Sequence, residues 1–140
     1  KILKYQKQFK QIYITDQNDP PMLYYLFWAK VPPGDIQQYG TEFGDNILKG
    51  NYLDRVKPKH FDQAFCDPVG IEALKPNILY AVSYNNLPLD FRALDKDKVP
   101  QGIKLLEVIK YPNNEPAYYL ITRDVLNGKI VEPDKKQKCR

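Results

Sequence analysis

His60, Asp62 and Cys66 form the one local grouping in this chain that resembles a nucleophile site. A histidine near a thiol can lower its pKa, and a carboxylate can orient the imidazole. The spacing supports that use only weakly. If 59–65 were one helical run, His60 and Cys66 would point to different sides and meet only across a bend. The plain alternative is a surface histidine beside a structural cysteine. Carboxylate pairs are the other route to catalysis, and Glu42 with Asp45, or Asp62 with Asp67, can be nominated as acid and base. With seventeen acidic residues in the chain, however, such pairs arise by chance, and solvated surface charge accounts for them better.

One histidine and two cysteines, with no Cys-x-x-Cys, give no support to a zinc or redox site. Gly40, Gly44 and Gly50 lack the lysine spacing of a phosphate loop, and no Gly-x-Gly-x-x-Gly follows a strand. No metal and no cofactor is therefore expected, no residue is assigned a catalytic role, and the balance is against an enzyme.

Cys139 lies in a polar, lysine-rich tail where a buried thiol has no place. It is expected to pair with Cys66, closing a loop of about seventy residues and adding about 4 kcal/mol by the chain-entropy model. Such a bridge favours a periplasmic or secreted protein over a cytoplasmic one. The chain also opens at Lys1 without methionine, which is expected of a processed product or a fragment of a longer protein.

Eleven tyrosines are the one enriched residue type with functional meaning, since Tyr offers a rigid apolar ring and a hydroxyl, as interfaces favour. Tyr24-Tyr25 and Tyr118-Tyr119 are adjacent pairs in predicted strands, so each pair must send one ring to each sheet face. On the strand Met22 to Val31, one face is wholly apolar and the other carries Tyr24, Trp28 and Lys30 in a row. That row suits a protein or carbohydrate partner if it is open, and is ordinary core if a helix covers it.

The elements that must position these residues follow from pattern. Ile2, Tyr5, Phe9 and Ile12 have helical spacing, so a short helix passes into a strand near Tyr13. Asp16 to Pro21 is a turn. Asp35 caps a helix whose stripe Ile36, Tyr39, Phe43 and Ile47 ends at Gly50. A second, short helix opens at Asp67-Pro68, where aspartate caps and proline fits the first turn. Ile78 to Tyr84 is a strand, and Asn85-Asn86 turns the chain. Asp90 to Gly102 reads as a surface loop. Ile103 to Tyr111, Ala117 to Leu126 and Lys129 to Val131 make a three-stranded meander, its second turn the tight Asn127-Gly128.

At 140 residues the chain has the length of one domain. The four lysines of the first ten residues and the net positive end after Asp134 together exceed the formal charge of +4, leaving the body net negative. Solvated basic ends, not a nucleic-acid surface, are expected. No apolar run reaches transmembrane length.

The fold expected is one α+β domain over 1–134 with a basic tail at 135–140. Its antiparallel sheet of four to six strands carries one main helix, Asp35 to Lys49, on one face. The function expected is a non-enzymatic extracytoplasmic module that binds another protein, as in an envelope or secretion assembly, an adhesin, or an inhibitor or immunity-type protein. One alternative is a small hydrolase or transferase using Cys66 with His60. The other is a cytosolic domain that binds anionic partners through its basic ends.

Overall fold

Ile78 to Val82 is apolar or aromatic at every position, the pattern of a strand covered on both faces. In the computed structural model, which describes residues 2–16, 56–89 and 99–139, this strand is the middle one of a five-stranded sheet. The described elements in chain order are α1 (Ile2–Tyr5), β1 (Gln11–Thr15), β2 (Val56–Lys59), α2 (Pro68–Glu72), β3 (Ile78–Val82), β4 (Ile103–Lys110), β5 (Pro116–Arg123), β6 (Val125–Leu126) and β7 (Lys129–Ile130). They form a small, single, sheet-rich domain with few helices.

The sheet order is β2-β1-β3-β5-β4, with β6 and β7 in a separate two-stranded ribbon. β1 runs parallel to both neighbours, with Thr15 beside Lys59 on β2 and Ile14 beside Ala81 on β3. β3–β5 and β5–β4 are antiparallel. The strand number is within the expected range, but the sheet is mixed, not antiparallel. Parallel neighbours need a crossover of a dozen or more residues, and residues 60–77, which contain α2, carry the chain from β2 to β3 across one face.

The expected meander is half realised. β4 and β5 form its hairpin, closed where Tyr111 N–H donates to Glu115 O at 2.8 Å. The third strand does not join the sheet. Asp124 turns the chain away, its N–H bonding Gly102 O at 2.9 Å, and Asn127-Gly128 closes the ribbon with both residues at positive φ (51° and 76°). The expected Met22 to Val31 strand and Asp35 to Lys49 helix, with Tyr24, Trp28, Lys30, Glu42 and Asp45, lie outside the described residues, as does most of the 90–102 loop.

Each face has its own core. Ile12, Ile14, Val56, Leu79, Ala81 and Leu120 are buried on one, with Ile2, Tyr5 and Phe9 from the first segment packed against them. Phe61, Phe65, Ile71, Leu74, Tyr80 and Tyr119 belong to the other. Full burial of such side chains is worth about 1.5–3 kcal/mol each relative to exposure. Tyr118 and Tyr119 divide between the faces as strand geometry requires. α2 begins as expected, with Asp67 Oδ1 accepting from Gly70 N–H at 2.7 Å and proline at the start of the helix.

The bridge expected between Cys66 and Cys139 is present, with Cα atoms 5.0 Å apart and a sequence separation of 73. Gly102 is where the strap leading to Cys139 meets the sheet. Its φ is +93°, and an added Cβ would lie 2.9 Å from Ile71 Cγ2, 3.0 Å from Arg123 Nη1 and 3.1 Å from Val131 O. Gly128, at φ +76°, has no heavy atom within 4 Å of such a Cβ. In urea unfolding Gly102→Ala is therefore expected to lose about 2–4 kcal/mol, from overpacking added to strain. Gly128→Ala is expected to lose only the left-handed penalty of about 1 kcal/mol; equal losses would show that the packing around Gly102 is not as described.

Candidate functional site

Because β1 and β2 are parallel and in register, Asp16 and His60 leave their strands side by side. His60 Nδ1 is 2.9 Å from Asp16 Oδ1, and Nε2 is 3.4 Å from Asp62 Oδ1. All three side chains are open to solvent. Both ring nitrogens thus face carboxylates, on opposite edges of the imidazole, and such carboxylates cannot converge with the ring on one ion. Among the described residues no group of three or more His, Cys, Asp or Glu could hold a metal. Cys66 is buried and its sulfur belongs to the bridge, so it offers no thiolate while the bridge stands. The structure therefore brings Asp62 to His60 and gives Cys66 a separate, structural partner. Of the nominated carboxylate pair, Asp67 is occupied as the cap of α2.

The same end of the parallel strands carries groups that the sequence reading did not single out. Lys59 Nζ lies over the Tyr13 ring at 4.9 Å and the Phe61 ring at 5.7 Å, cation–π contacts that suit a cation with an apolar stem. Thr15 is buried, and among the described residues its hydroxyl has no hydrogen-bond partner. Past β3, Ser83 and Asn86 are both buried. Ser83 Oγ donates to Asn86 Oδ1 at 3.3 Å and Asn86 Nδ2 donates to Phe61 O at 3.0 Å, while Asn86 O accepts from Phe65 N–H at 2.6 Å. This polar knot ties the 60–76 crossover to the loop after β3. The sequence showed Asn86 only as a turn residue, because Phe61 O and Phe65 N–H, which it bonds in the crossover, lie over twenty residues away.

Tyr80 is the centre of the aromatic cluster beneath the crossover, with ring centroids 5.7 Å from Tyr13, 6.0 Å from Phe61 and 6.3 Å from Phe65. Burial pushes its phenol up, against the opposing effect of the Lys75 N–H that donates to it at 3.0 Å. These tyrosines serve the core. The expected basic start is partly neutralised as well: Lys4 Nζ is 2.6 Å from Glu107 Oε2, and that hydrogen bond holds its ammonium above the ordinary lysine range.

At β5's end, Arg123 is buried, donating from Nη1 to Ile71 O at 3.0 Å, with Nη2 3.6 Å from the exposed Glu132. Next to it, the β6–β7 ribbon leaves Val125, Leu126 and Ile130 exposed, and Val69 on α2 is 77% exposed. Arg123, one residue before the chain turns away at Asp124, joins α2 to the root of the ribbon through Ile71 O.

Removing each candidate separates scaffold from site. Asn86→Ala removes the buried side-chain amide that bonds Phe61 O and Ser83 Oγ and is expected to cost about 2–4 kcal/mol in urea unfolding. His60→Ala removes only exposed pairs and is expected to cost under about 1 kcal/mol; a larger loss at His60 than at Asn86 would contradict this division. No protein-family model, curated protein or solved structure matches this chain.

Proposed function

We propose that this chain is a non-enzymatic, extracytoplasmic protein-binding module, of the kind that serves an envelope or secretion assembly, an adhesin or an inhibitor. The Cys66–Cys139 bridge carries the reading. Bridges of this kind persist in oxidising compartments, and this one occupies both cysteines of the chain, including the one thiol near the histidine.

Two further observations support it. His60 is turned to Asp16 and Asp62 and away from any role as a thiol's base. The exposed Val125, Leu126, Ile130 and Val69 supply apolar side chains for contact, as the core of an interface requires. The row of Tyr24, Trp28 and Lys30 is a second contact surface in this proposal. Among the described residues no helix is long and apolar enough to cross a membrane.

Photo-crosslinking in the producing cell tests the reading, with benzoylphenylalanine placed at Leu126 in one variant and at Trp28 in another. A discrete adduct to another protein, at either position and competed away by unmodified protein, is expected. Its absence from both positions would overturn the proposal.

A further inference from the structure

We propose that residues 131–139 form a redox-released strap, freed as a unit when a dithiol reductant opens the Cys66–Cys139 bridge, while the sheet stays folded. The inference does not rest on the binding reading above. It rests on how unevenly this segment is attached.

After β7 the chain pairs with no strand of the sheet. Of residues 131–139 only Pro133 is buried, with Val131 and Gln137 half-buried and the rest exposed. Two glutamines make the polar attachments to the body. Gln101 Nε2 donates to Glu132 O at 2.8 Å, Gln101 N–H donates to Gln137 Oε1 at 3.1 Å, and Gln137 Nε2 donates to Cys66 O at 2.8 Å. At the root Val131 N–H bonds Asp124 O at 3.0 Å, and Glu132 stands 3.6 Å from Arg123. The two Gln101 bonds are exposed and the Gln137 to Cys66 bond is half-buried, so all compete with water to some degree and the covalent bridge is the dominant fastening. Cys66, by contrast, lies in a segment anchored by buried Phe61 and Phe65 and by Asn86. Opening the bridge therefore frees one side only.

Cys139 is exposed and Cys66 is not, so exchange begins at Cys139. A thiolate of the reductant attacks Cys139 Sγ, and Cys66 leaves as a thiolate that takes up a proton. The reductant's second thiol then attacks the mixed disulfide and releases the Cys139 thiol. In sum the protein gains two electrons and two protons, and the dithiol becomes a disulfide. Release withdraws Glu132 from the buried Arg123 and leaves Cys66 as a free thiol.

Limited trypsin digestion of the folded full chain, with and without dithiothreitol, tests the proposal. Cleavage after Lys135, Lys136 and Lys138 is expected to speed up at least about tenfold on reduction, because proteolysis follows the population of the open form. Cleavage after Lys110 and Arg123, in the sheet, should stay slow and the far-UV circular dichroism unchanged. Cys139→Ser should reproduce the fast strap cleavage without reductant. Unchanged strap cleavage in the reduced protein or in Cys139→Ser would show that the glutamines suffice to hold it. Cleavage spreading through β4 and β5 at the same rate would show that the bridge holds the whole fold; either result overturns the strap.

Discussion

The structure depends on a strand, β3, that is buried on both faces at the middle of a mixed sheet. A single layer cannot satisfy it, because Leu79 and Ala81 point to one core while Tyr80 and Val82 point to the other. Each face must be covered, and the described covers are short or irregular: α1 with Phe9 on one side, the 60–76 crossover with α2 on the other. Irregular covers present main-chain donors and acceptors that need partners. The buried Asn86 supplies them for the crossover, and Arg123 does so for Ile71 at the end of α2.

That requirement changes the meaning of the residues that looked chemical. Cys66 sits in a cover segment, held between the Phe65 to Asn86 main-chain bond and the bridge to the strap. His60 marks the point where the chain leaves β2, and its pairing with Asp16 follows from the parallel register of Thr15 with Lys59. Exposed pairs of this type contribute little to stability. Their proximity is a product of topology, which is why spacing along the chain suggested a site while the geometry assembles none around the thiol.

Local features were legible in the sequence where a short-range rule governs them. Asp67-Pro68 opens α2, Asn127-Gly128 closes a tight ribbon, the first segment passes from helix to strand, and the hairpin from Ile103 to Arg123 is in place. The bridge was legible too, from a cysteine in a tail where burial had no rationale. Strand direction was not, because the pattern of Ile78 to Tyr84 marks a strand without orienting its neighbours, although the unbroken apolar run from Ile78 to Val82 is the mark of an interior strand beside a parallel neighbour. The strand expected at Lys129 to Val131 is present as Lys129–Ile130 but outside the sheet: the turn at Asn127 is local, whereas Asp124 leaves the sheet through a bond to Gly102. The Asn86 knot and the burial of Arg123 rest on contacts 25 and 52 residues apart, beyond any periodicity.

Function turns on the same bridge that fastens the strap, since it removes the thiol from chemistry and places the chain, in the reading proposed, outside the reducing cytoplasm. Intact mass of the natively produced protein, before and after reduction, with peptide mapping of Cys66 and Cys139, tests this most directly. A mass lower by two hydrogens before reduction, with the two peptides linked, is the result expected. Two free thiols in the native protein would contradict it and return Cys66 with His60 to the candidates for catalysis.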